Sequence, residues 1–153
     1  MTPLVGQDGV PGTPHMVVVR LGELESALWE EQVLIEDLRQ ALLRQREGVV
    51  ADNPQVIEAT VHTISRTMLT LEEARRRRTA LITLVIGNSG VALDDLQRHL
   101  AIPLTAGFME ACEKVQHAAE TIAAEVAINQ DLQSRAREAG EAFRQQLFSD
   151  AAP

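Results

Sequence analysis

Aromatic side chains make up only 3% of this chain: Trp29, Phe108, Phe143 and Phe148, with no tyrosine. Compact enzymes usually bury several large rings, so the scarcity points away from them and towards helices packed through Leu, Ile, Val and Ala. Cysteine is equally scarce. Cys112 stands alone, which excludes an internal disulfide framework and suits a reducing compartment. No run approaches the roughly 20 apolar residues of a membrane span, and the N-terminus lacks the basic start and apolar core of a secretory signal. A soluble, cytoplasmic protein is therefore expected. Lysine is nearly absent and the net charge is -8, which argues against a general affinity for nucleic acid or acidic membrane surfaces.

The residues that are abundant make the fold class plain. Hydrophobic residues reach 45% in 153 residues, enough for one folded domain. Ala, Leu, Glu, Gln and Arg dominate, and all are good helix formers. Residues 1–16 differ: prolines 3, 11 and 14 alternate with glycines 6, 9 and 12, so a flexible tail is expected there. Residues 17–149 read as a single helical-bundle domain, and 150–153 as a frayed end.

From Leu21 onward, Leu24, Leu28, Ile35, Leu38, Leu42 and Val49 follow alternating three- and four-residue steps. Glu31 and Gln45 are polar interruptions of that seam. This predicts a first helix from near Val18 to Val50. Asn53 is a good N-cap and Pro54 fits the first helical position. A second helix then keeps the stepping through Ile57, Val61, Ile64, Met68, Leu71, Ala74, Arg78, Leu81 and Val85, with Arg78 out of character. Gly87 closes it, "VALDDLQRHL" forms a short piece, and Thr105 caps a third helix. The third seam runs Phe108, Cys112, Val115, Ala119, Ile122, Val126, Asn129, Gln133, Ala136, Gly140, Phe143, Leu147. The expectation is an all-α, elongated antiparallel bundle of three long helices with a short extra helix between the second and third.

Four consecutive arginines, Arg75 to Arg78, interrupt the second helix. At about 100° per residue they fan around the axis and form no basic stripe. Glu72 stands four before Arg76 and Glu73 four before Arg77, the favourable order for ion pairs along a helix. The run reads as a solvated face, with Arg78 laying its stem on apolar neighbours and lifting its head into water. No interleaved aromatics favour stacking on bases.

Nothing in the sequence carries chemistry. His15, His62, His99 and His117 are scattered and match no zinc spacing. "GNSGVA" lacks the Lys-Ser/Thr of a phosphate loop, and Asp94-Asp95 suit the first turn of the short helix. No catalytic, metal or cofactor site is expected, and the protein is read as a non-enzyme.

The third helix has one anomaly. Beyond Val126 its seam turns to Asn129 and Gln133, then to small Ala136 and Gly140. A buried amide at such a position fixes register at some cost in stability. Two readings stay open: the helix runs past its own bundle into solvent, or Leu132, Ala136, Phe143, Leu147 and Phe148 await a helix from another protein.

The chain also resembles a known family, the FlgN-type flagellar export chaperones. "LWEEQVLIEDLRQALLRQREGVVADNP" looks like that family's opening, a Glu-rich leucine repeat ending in a polar turn. "VIEATVHTISRTMLTLEEARRRRTALITLVIG" resembles its spaced leucines, "LE", following arginine, apolar pair and closing glycine, here Leu71, Glu72, Arg75, Leu81, Ile82 and Gly87. "INQDL" resembles part of the family's asparagine-rich signature, with Asn129 at one asparagine and Leu132 where another is expected. The resemblance implies a cytosolic chaperone that binds the C-terminal helices of hook-filament junction proteins (FlgK and FlgL type). It would prevent premature assembly and deliver them to the flagellar type III export apparatus. Partner-binding residues would then be Asn129, Leu132, Ala136, Phe143, Leu147 and Phe148. Family members that bind the export gate use a tyrosine on this helix; this chain has none, so no gate-contact residue carries over. The alternative is a coiled-coil adaptor or oligomerisation module unrelated to secretion. Monomer and homodimer both remain open at this point.

Overall fold

In a computed structural model, residues 14–150 are described. The fold is an all-α bundle: α1 spans Pro14–Val50, α2 Pro54–Ile86 and α3 Ala106–Asp150, with a short 3-10 helix at Leu93–His99 between α2 and α3. No strand occurs among the described residues. Two boundaries differ from expectation. Helix α1 begins at Pro14, not near Val18, so Pro14, His15 and Met16 belong to the helix and not to a tail. A proline in the first turn is no obstacle, because its missing N–H would have had no helical partner there. At the other end Asp150 is still helical. The remainder of the expected tail, residues 1–13, and residues 151–153 lie outside the described residues.

The connections are built by local chemistry. At the end of α1 the Asn53 N–H donates to Gly48 O at 2.9 Å and the Asp52 N–H to Val49 O at 3.2 Å. Those two bonds form a Schellman motif, with Asp52 in the left-handed position at φ 50°. Asn53 then caps α2, its Oδ1 accepting the Val56 N–H at 3.2 Å. Gly48 lets α2 start close against α1, since a Cβ there would stand 2.9 Å from Val56 Cγ1 and force that side chain to shift. Gly87 closes α2 at φ 76°, and Thr105 Oγ1 accepts the Phe108 N–H at 3.1 Å to start α3. Between them, Gln97 braces the linker, donating to Ile102 O and accepting from the Leu104 N–H.

Packing falls into two compact units, each drawing on all three long helices. Among the described residues the first comprises 14–31 and Glu72–Val115. Its core joins Leu21, Leu24, Ala27 and Leu28 of α1 to Leu81 and Ile82 of α2, Leu96 of the 3-10 helix, and Phe108, Ala111 and Val115 of α3. Half-buried Trp29 packs on this cluster and carries the Lys114 ammonium 5.4 Å from its ring centre. The second unit comprises Gln32–Leu71 and residues from Gln116 onward. Its core is smaller: Ile35, Leu38, Leu42, Leu71 and Ile122, flanked by Leu34, Ile64, Ala118 and Val126.

The α1 seam is buried from Leu21 to Gln45 as its spacing requires, with both polar interruptions inside it, and only Val49 at its end is half-buried. The N-terminal half of α2 follows its spacing only in part. Val61 and Met68 remain 47% and 55% exposed, while Thr60 is buried. The inward row there runs Thr60, half-buried Ile64 and Leu71, so two of the expected seam residues face in while Val61 and Met68 are left to solvent. A threonine can occupy such a place because its hydroxyl finds an acceptor in its own helix. Thr60 Oγ1 lies 2.9 Å from both Val56 O and Ile57 O.

Candidate functional site

The arginine run is only partly a solvated face. Arg76 behaves as expected, pairing with Glu72 at 2.6 Å while its side chain stays 70% exposed. The others reach across to α1 within the first unit, Arg75 and Arg77 while still exposed and Arg78 half-buried. Arg77 pairs with Glu30 of α1 at 3.0 Å instead of with Glu73. Arg78 donates to Glu31 Oε1 at 2.9 Å, and the Arg75 Nε stands 3.6 Å from the same oxygen. The head of Arg78 is thus held by a carboxylate and not lifted into water, because a buried acid on the facing helix offers more than solvent does. Glu31 itself is 1% exposed, and its Oε2 has no hydrogen-bond partner. Burial pushes this carboxyl above its ordinary value, and the two arginines only partly pull it back.

A second polar centre lies in the second unit. Asn129 is 4% exposed and fully engaged. Its Nδ2 donates to Leu42 O at 2.7 Å and to Gln45 Oε1 at 3.2 Å, while its Oδ1 accepts from Arg46 Nε at 3.0 Å. Arg46 also pairs with Glu125. Asn129 therefore stands inside the packing as a register residue, and its side chain is spent on α1. The same unit carries a groove of about 310 Å³ lined by Leu34, Asp37, Thr63, Arg66, Thr67 and Thr70. Its threonine hydroxyls already donate to carbonyls of α2, which leaves Asp37 and Arg66 as its charged groups.

The remaining sequence-derived site residues form a different kind of place. Leu132 and Gln133 are half-buried; from Ser134 to Asp150 every residue is exposed. Ala136 lies on this bare length, and Phe143, Leu147 and Phe148 are 62%, 54% and 78% exposed. Its ion pairs stay within the helix, Asp131 with Arg135 at 3.1 Å and Glu141 with Arg144 at 3.0 Å. A Cβ added at Gly140 would meet nothing within 4 Å. Of the six residues, Leu132, Ala136, Phe143 and Leu147 share one side of α3 and Phe148 lies to its flank, while Asn129 belongs to the interior.

Cys112 is half-buried, and burial pushes its thiol up to about 11, so it is not a thiolate near neutrality. Among the described residues no cluster of three or more His, Cys, Asp or Glu is placed to hold a metal ion, and no helix is long and apolar enough to cross a membrane. No protein-family model, curated protein or solved structure matches the chain.

Proposed function

We propose that this protein is a helix-binding chaperone of the FlgN type. In this reading it holds the C-terminal helices of hook-associated proteins in the cytosol and delivers them to the flagellar type III export apparatus. One observation carries the proposal: α3 continues for residues 134–150 with every side chain exposed, and that length displays Phe143, Leu147 and Phe148. Apolar groups of this size and spacing suit the seam of a second amphipathic helix. The resemblance of Leu71, Glu72, Arg75, Leu81, Ile82 and Gly87 to the family pattern supplies the client class. Arg75 has a structural use in this chain as well, beside Glu31.

The test is co-purification with a hook-filament junction protein. Phe143→Glu combined with Leu147→Glu abolishes capture while helicity and the melting temperature stay near those of the parent, because both side chains stand in solvent. Capture at full strength by the double variant overturns the reading. The seven-residue stepping of the same strip also suits an oligomerisation module, which self-associates in sedimentation and ignores junction-protein peptides.

A further inference from the structure

The exposed strip of α3 specifies the charge of what covers it. At about 100° per residue, Leu132, Ala136, Ala139, Gly140, Phe143 and Leu147 fall within an arc of roughly 100°. Every arginine of the bare length borders that arc: Arg137 and Arg144 on one edge, Arg135 on the other. Asp131, Glu138 and Glu141 lie farther round, about 80° to 100° from the arc, and Phe148 stands outside it between Arg137 and Glu141; only Asp150, the last residue of the helix, lines up with the strip. Arg137 makes no ion pair among the described residues. Arg135 and Arg144 hold theirs at side-chain exposures of 74% and 68%, where such pairs are weak and readily exchanged.

We infer that the strip is built to receive an amphipathic helix whose own apolar seam is bordered by acidic side chains. This rests on the chaperone reading for the site and adds the chemistry of the occupant. Residues flanking a helix–helix seam select partners by charge, since like charges there repel and opposite charges pair. A second copy of this chain is a poor occupant, because it brings arginine-bordered edges to arginine-bordered edges. The small residues Ala136, Ala139 and Gly140 leave a shallow notch beside Phe143 for a bulky side chain of the incoming helix. Among the described residues nothing fills the space at Gly140.

The experiment uses the full chain and two designed helical peptides sharing one leucine seam, with glutamates along the edges of one and lysines along the edges of the other. Fluorescence anisotropy at physiological salt, where the net charge of -8 is screened beyond about 8 Å, gives the glutamate peptide at least about a tenfold lower Kd, a preference that disappears at about 1 M salt. The triple variant Arg135→Glu, Arg137→Glu, Arg144→Glu reverses the preference, with circular dichroism confirming unchanged helicity. Arg137→Gln with Arg144→Gln reduces it without reversal. Equal affinities, a lysine preference or binding of neither peptide overturns the inference. So does concentration-dependent self-association that the glutamate peptide fails to disrupt. Loss of the charge preference with junction-protein capture intact removes this inference alone. Glutamate-peptide binding without junction-protein capture removes the chaperone reading and leaves the inference standing.

Discussion

Glu31 shows how a single residue can be held at a cost. Its carboxylate is buried with one oxygen on Arg78 and the other unpartnered. Removing either member of the pair therefore has unequal effects. Arg78→Ala leaves the acid buried beside the more distant Arg75 and lowers unfolding stability by about 3 kcal/mol in urea titrations. Glu31→Leu is neutral or stabilising by about 1 kcal/mol, because Arg78, with its side chain 24% exposed, can turn its head to water. The pH response follows from the raised carboxyl. The folded chain keeps a proton that the unfolded chain has already released. Stability therefore falls as pH climbs from the ordinary carboxylate range through the raised value, then levels. Glu31→Gln removes that slope, which urea midpoints measured between acidic and neutral pH would reveal. The sequence displays Glu31 and Gln45 as interruptions of the α1 seam, Arg78 of the α2 seam and Asn129 of the α3 seam. Seam spacing places each on an inward face. Which residues stand at the same level depends on how far each helix slides along its neighbour, and only the packed structure supplies that.

At the scale of the element, the helix boundaries were legible wherever a capping residue had a local job. Asn53, Gly87 and Thr105 perform theirs as their chemistry predicts. The turn after α1 adds what composition conceals, an aspartate in a left-handed conformation. Asp52→Gly relieves that strain and raises stability by up to about 1 kcal/mol, read from the denaturant midpoint. The inward face of early α2 was only partly legible: Ile64 and Leu71 turn in as the seam spacing suggests, but Thr60, whose hydroxyl is satisfied within its own helix, is buried while Val61 and Met68 stay exposed. Helix α3 is pinned to α1 by Asn129, whose amide serves three partners. Asn129→Ala lowers stability by about 2 kcal/mol by leaving Gln45 and Arg46 short of a partner. It leaves peptide binding on the distal strip unchanged, which separates the register residue from the docking residues.

Among the described residues, packed helices continue into a length, 134–150, on which every residue is exposed. Continuing an existing helix avoids the unfavourable nucleation step, which is how residues 134–150 can be helical without a neighbour. Propagation alone gives little protection against local opening, since burial supplies most helical stability in proteins. The net charge of -8 repels an acidic helix at long range, so the arginine borders act only within about a Debye length, roughly 8 Å at physiological salt. Hydrogen exchange joins these arguments in one measurement. In the free chain, amides of residues 134–150 exchange within seconds, while those around Leu24, Ile35, Phe108 and Ile122 persist far longer. Adding the glutamate-edged helix slows exchange across 134–150 and leaves the two cores unchanged. Strong protection of 134–150 in the free chain at dilution would mean that this surface is already covered, and the docking role would fall with it.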